Sequence, residues 1–171
     1  WAKGYDLFLE ACRILRDRGT AFEAWLIGQW HSEEDRRWAE DFIRENRLES
    51  IVKIRGRLDD MAGAYARMDV LLLPTRKDSF PRVVMEAMAY GVPVVATRID
   101  GVPEMVEEGS TGFLVEPENA AGFADAAEKL LRDPARRRSM GEAGRERAQT
   151  LFSPDTYAAR MRELYGQIGG A

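Results

Sequence analysis

The sequence predicts a doubly wound α/β fold, a Rossmann-like parallel sheet with helices on both faces. Three features carry that expectation. Short aliphatic runs alternate with amphipathic helical stretches, and the intervals are too long for hairpins, so the strands must be parallel and joined by crossover helices. The run 70–73 is apolar at every position, as a strand covered on both faces requires. No linker, low-complexity stretch or repeat interrupts the alternation, so residues 1–171 are expected to form one domain around one core.

The elements follow in order. Leu7, Phe8, Ala11, Ile14 and Leu15 recur at helical spacing over 5–18, and Gly19 is a stop signal. The run 22–27, ending at Gly28, reads as a strand entering a loop. Ser32 and Asp35 have capping-box spacing, and Trp38, Phe42 and Ile43 give 33–46 one apolar face. A strand is expected at 51–55, a short helix at 61–68 and the aliphatic strand at 70–73. Next comes a helix over 82–90, closed by Gly91 with Pro93 just beyond. Strands at 93–96 and 112–115 flank a short helix at 102–107. Three helices finish the chain: 119–132, one opened by Asp133 and Pro134, and 153–168, opened by Ser153 and Pro154. Tyr157, Met161, Leu164, Tyr165 and Ile168 form an apolar stripe along the last.

Composition excludes several function classes. The 171 residues are 45% hydrophobic and 32% charged, which suits a soluble globular domain rather than a disordered or membrane chain. Lysine and arginine number 25 against 29 acidic residues, so the basic footprint of a nucleic-acid binder is missing. Cys12 is the sole cysteine, no metal-ligand spacing occurs, and no apolar run is long enough to span a bilayer. A cytoplasmic setting follows, with neither metal nor cofactor. The chain opens at Trp1 without an initiator methionine, so it is expected to be part of a longer polypeptide.

The most informative stretch is LLPTRKDSFPRVVMEAMAYGVP, from Leu72 to Pro93. A buried strand ends at Pro74, a polar loop carries Asp78, and a helix begins near Arg82 with Glu86 one turn inside it. In doubly wound sheets ligands bind beyond the carboxyl ends of the strands. The free N–H groups and positive dipole of a helix start suit a phosphate there, while two flanking carboxylates can accept hydrogen bonds from hydroxyl groups. A phosphate between two hydroxyl-rich groups describes a nucleotide sugar.

From Asp78 to Pro117 the sequence resembles the C-terminal, donor-binding domain of family 4 retaining glycosyltransferases, enzymes of the two-domain GT-B architecture. The similarity extends from the Lys3-Gly4 pair through Leu26-Ile27-Gly28 and the 54–58 strand and turn to Phe152-Ser153. The family motif is two glutamates separated by seven residues; Asp78 and Glu86 have that spacing, with Asp in the first place. The resemblance implies that Asp78 holds hydroxyls of the donor sugar, that Glu86 holds the ribose diol, and that backbone N–H groups at Ser79, Phe80, Arg82 and Val83 hold the diphosphate. Pro81, where the family often has glycine, supplies no donor. Lys3 would stabilise the departing diphosphate as a second catalytic residue beside Asp78, Gly28 would let its loop approach the nucleotide, and 54–56 would border the base.

The implied activity is donor binding for retaining transfer of a hexose from a nucleotide-diphosphate sugar to an acceptor hydroxyl. The first strand of the domain, an upstream arginine and the N-terminal acceptor-binding domain are expected to lie outside this chain, so the chain by itself is expected to be inactive. Through that missing domain the enzyme would reach the inner face of a membrane. The alternative is a nucleotide-sugar-binding module that never catalyses. Glu104 in GVPE fits the family pattern and equally a plain helix-start carboxylate. His31 reads as a loop residue and Trp25, Trp30 and Trp38 as packing rather than a sugar platform.

Overall fold

The computed structural model describes residues 2–169. Helices α1 (Tyr5–Asp17), α2 (Glu33–Glu45), α3 (Met61–Ala66), α4 (Arg82–Ala89), α5 (Val102–Met105) and α6 (Ala120–Arg132) alternate with strands β1 (Ala24–Ile27), β2 (Val52–Gly56), β3 (Leu71–Leu73), β4 (Val94–Thr97) and β5 (Gly112–Val115). Helices α7 (Pro134–Leu151) and α8 (Pro154–Gly169) close the chain. All strand pairs are parallel, as expected, but the sheet comes in two parts, β1-β2 and β3-β4-β5.

Strand β4 is the axis of the larger part, buried at all four positions. Its side chains alternate between faces, as a pleated strand must. Val95 packs with Phe113, Phe123, Leu130 and Met140 on one side. Val94 and Ala96 pack with Val84, Met88, Val102 and Met105 on the other. A third cluster, Leu9, Cys12, Ala39, Ile43, Leu48 and Val52, underlies the smaller part. Helix α1 belongs to two clusters, because Ala11 and Leu15 sit in the first and Leu9 and Cys12 in the third. Helix α7 crosses α4 at backbone distance: a Cβ on Gly141 would lie 2.0 Å from the Gly91 carbonyl oxygen.

The free edges of β1 and β3 face a groove of about 1200 Å³, lined along its length by Ala24 to Ile27 and Leu71 to Leu73. A strand laid there would meet both edges, the place that the sequence resemblance reserves for a first strand. The groove explains a departure from expectation: all three β3 leucines are only half-buried, because one edge of the strand is open. One further expectation changes. Ser32 accepts the Asp35 amide, but the Asp35 carboxylate takes the Tyr5 hydroxyl at 2.8 Å, so the reciprocal capping bond is replaced by a tie from α2 to α1. In the run 136–138, Arg136 lies 5.0 Å over the Phe113 ring and Arg137 donates to the Leu130 carbonyl and pairs with Asp69 at 3.0 Å, so two of the three arginines are structural.

Trp30 and Trp38 pack edge-on against Tyr5, and Trp25 is covered by Arg55 and Arg67, so the tryptophans are packing residues. Along α8, Tyr157, Leu164 and Tyr165 are exposed, and the side chain of Ile168 lies outside the described ones. No helix among the described residues is long and apolar enough to cross a membrane.

These burials make two predictions. Phe123→Ala should cost about 3–5 kcal/mol, whereas Tyr157→Ala should stay within about 0.5 kcal/mol, as urea midpoints will show. Burial alone pushes the Cys12 thiol from its ordinary value of 9.0 up to about 12. The folded state therefore favours the protonated thiol, and the stability this confers is complete below pH 9 and is lost as the pH rises toward 12. Cys12→Ala should remove that part of the alkaline slope, and native Cys12 should resist alkylation at pH 8.

Candidate functional site

The site is assembled by loops at the carboxyl ends of β1 and β3. Residues 2–4 are fastened to the loop after β3: the Arg76 amide and the Thr75 hydroxyl both donate to the Ala2 carbonyl, at 2.8 and 3.1 Å. The Arg76 guanidinium grips the Asp6 carboxylate with two hydrogen bonds of 2.7 Å and holds Glu118 as well. These bonds raise the Arg76 pKa, and the Arg76 hydrogen bond holds the Glu118 carboxyl below its ordinary value. Gly4 makes the junction possible. Its φ is 70°, and a Cβ there would lie 1.8 Å from the Pro74 carbonyl oxygen.

This junction places Lys3 beside Asp78, Nζ to Oδ2 at 2.7 Å, with the lysine side chain 70% exposed and the aspartate 22%. An ion pair so open to solvent contributes little to stability. Its value is positional. The Asp78 loop is held from the far side too, because the Asp78 amide donates to Asp100 at 3.2 Å and the Gly101 amide donates to the Ser79 carbonyl at 3.1 Å.

Helix α4 then begins at Arg82 with Pro81 at its cap position and no side-chain cap bond. The starts of α2, α3, α6 and α7 are sealed, because Ser32, Asp60, Asn119 and Asp133 each accept an amide of the following turn, whereas α1 and α5 begin at glycines with no side-chain cap. The first-turn N–H groups of a helix have no intrahelical partner. At α4 these are Arg82 and Val83, which line the groove mouth. One turn further in, exposed Glu86 accepts a 2.8 Å hydrogen bond from the buried Tyr65 hydroxyl.

The groove mouth thus brings together Lys3, Gly28, Asp78, Phe80, Pro81, Arg82, Val83 and Glu86. Ser79 is not among its lining residues, and only its carbonyl has an assigned partner. Gly28 has φ 139° and donates its amide to the Gly56 carbonyl at 2.9 Å, tying the β1 loop to the end of β2. Glu104 is exposed and offers its carbonyl to Arg147, while His31 is exposed in the loop before α2. Among the described residues no three His, Cys, Asp or Glu side chains converge as a metal site would need.

Tyr65, Thr75, Arg76 and Asp100 went unmarked by sequence reasoning. Each acts through a partner distant in the chain, and local spacing carries no signal of such contacts.

Parallel strands, crossover helices and a cleft beyond the strand ends define a class, the Rossmann-like α/β domain. Sucrose-phosphate synthase of Thermosynechococcus elongatus superposes with a TM-score of 0.84 at 31% identity, over 99% of this chain and 43% of that one. The Anabaena protein HepE, solved in complex with UDP, superposes with a TM-score of 0.89 at 25% identity, over 97% of this chain and 46% of its own. The chain belongs to the glycosyl transferases group 1, whose family pattern matches residues 1–133. It is 37% identical over 126 residues to N-acetyl-alpha-D-glucosaminyl L-malate synthase of Bacillus anthracis, covering 74% of this chain and 33% of that enzyme. Similarity to D-inositol 3-phosphate glycosyltransferase of Corynebacterium aurimucosum is 42% over 106 residues, or 62% of this chain and 25% of that enzyme. The chain therefore spans a third or less of the length of these curated relatives.

The junction is testable apart from any ligand. Gly4→Ala should lose about 1–3 kcal/mol through overpacking alone, read from denaturant midpoints. Arg76→Ala should raise amide hydrogen exchange at the start of α1 while leaving β4 protected. Unchanged exchange at α1 would show that the Asp6–Arg76–Glu118 cluster does not hold the segment.

Proposed function

We propose that this chain is the donor-binding domain, over 1–171, of a retaining glycosyltransferase of family 4 that moves a hexose from a nucleotide-diphosphate sugar to an acceptor hydroxyl. One observation supports the reading above others: the groove mouth that joins Lys3, Asp78 and Glu86 also contains the uncapped start of α4. An uncapped helix start attracts phosphate through unpaired N–H groups and the helix dipole.

In this reading the diphosphate sits on the amides of Arg82 and Val83. Glu86 accepts the ribose hydroxyls from one turn below, and Asp78 accepts hydroxyls of the sugar. Lys3 is held by Asp78 before the donor arrives, and its exposed ammonium is free to turn to the phosphate. As the C1–oxygen bond to the diphosphate breaks, the acceptor oxygen bonds to C1 from the same face and its proton passes to the departing phosphate. A fixed cation and preset amides stabilise the charge that develops on the leaving group. No side chain acts as nucleophile, and no cofactor or metal has a part.

The acceptor and the rest of the catalytic machinery are assigned to an N-terminal domain facing this one, in a cytoplasmic enzyme that reaches the inner face of a membrane through that domain.

Binding of UDP, GDP and ADP, free and as their glucose conjugates, should be measured by calorimetry on the full-length enzyme. Wild type should bind at least one family of ligands, and Glu86→Ala should weaken it by about tenfold or more, roughly 1.4 kcal/mol. Lys3→Ala should lower kcat more than it raises KM, and NMR of the product should show the donor's anomeric configuration. Binding of all three nucleotides by Glu86→Ala as tightly as by wild type would overturn the ribose assignment, and an inverted product would overturn the retaining mechanism.

A further inference from the structure

Tyr65 is 3% exposed, lies on α3, and reaches the site only through its hydroxyl. Its ring stacks on Tyr90 at the end of α4, centroids 5.5 Å apart and planes 23° from parallel. Val84, Ala87 and Met88 of α4 share its hydrophobic cluster. The ring is thus fixed by packing, and the hydroxyl bond to Glu86 Oε2 at 2.8 Å is aimed by that packing. Glu86 itself is exposed, and among the described residues no other hydrogen bond or ion pair to its carboxylate is assigned. A glutamate on a helix surface with no tether samples several rotamers, and stopping that motion costs binding free energy.

We propose that Tyr65 is a positioning residue that locks the Glu86 carboxylate in the orientation that receives a ribose diol. The hydroxyl occupies one acceptor position on Oε2 and leaves the remaining lone pairs of both carboxylate oxygens for the ligand. Burial and the Glu86 carboxylate both raise the Tyr65 pKa, so the hydroxyl stays protonated and remains a donor throughout the neutral range. Tyr65 does not touch the ligand; it prepays the ordering of the group that does. The ribose role of Glu86 belongs to the function proposed above, and the proposal for Tyr65 rests on it.

The test compares UDP with 2′-deoxy-UDP, and the GDP and ADP pairs in parallel, on full-length wild type, Tyr65→Phe, Glu86→Gln and the double variant. Tyr65→Phe keeps the stacked ring and the buried volume, and thermal melts run alongside check that it is folded. Tyr65→Phe should weaken the ribonucleotide about five- to tenfold, the net effect of one ordinary hydrogen bond, and the 2′-deoxy form about twofold or less. The preference for the ribose form therefore shrinks, a change that loss of general stability would not produce. In the double variant the two losses should not add, since both act on one carboxylate. A wild-type ribose preference in Tyr65→Phe, or equal weakening of both ligands, overturns the positioning role while Glu86→Gln still shows its own loss. If Glu86→Gln also keeps the full preference, the ribose assignment falls and the Tyr65 role falls with it.

Discussion

The ion pair at the groove mouth depends on one junction, the fastening of residues 2–6 onto the loop that follows β3. The Ala2 carbonyl, the Gly4 backbone and the Asp6 carboxylate all meet the segment 74–76. That contact sets Lys3 against the loop, with its ammonium 2.7 Å from Asp78. The constraint is mostly backbone geometry. A left-handed residue without a Cβ must sit where two chains cross, and glycine alone meets both conditions at low cost. The bidentate arginine adds a planar clamp whose directionality a lysine could not reproduce.

The mouth also shows how a stable domain leaves a helix start open where a groove meets it. Side chains seal the starts of α2, α3, α6 and α7, and the substitution of alanine for such a cap typically costs about 1 kcal/mol. At α4 the cap position holds a proline and the first turn carries no acidic residue to answer the dipole. The consequence is a local deficit of negative charge flanked by two carboxylates, one of them neutralised by Lys3. Such a place gains most from an anionic ligand with hydroxyl groups on either side.

Much of the architecture was legible from residue spacing because burial imposes period. Helix α1, the alternation of β4 and the caps at Asn119, Asp133 and Ser153 all follow from local pattern. That Asp78 and Glu86 share one groove mouth was foreshadowed differently, by their place eight positions apart across one loop and helix start and by the two-acid motif that they resemble. What local pattern misled on depended on distant partners. Asp35 has capping-box spacing, yet a tyrosine thirty positions earlier takes its carboxylate. The aliphatic run of β3 looks doubly covered, yet its half-burial depends on what lies beside its edge. Tyr65 sits 21 positions before Glu86, on a helix whose own spacing says only that one face is buried.

The two banks of the mouth stand on different foundations. Asp78, α4 and Glu86 rest on the three-stranded part of the sheet, while Gly28 rests on the two-stranded part. Between β1 and β3 no ladder bond holds the parts together among the described residues. Helix α1 does so instead, with Ala11 and Leu15 buried in one core and Leu9 and Cys12 in the other. Its N-terminus is also the end of the Lys3 junction. Close-packed interiors transmit displacement rather than absorb it. A change of volume on either face of α1 would therefore be felt in both cores, and through them at both banks of the mouth.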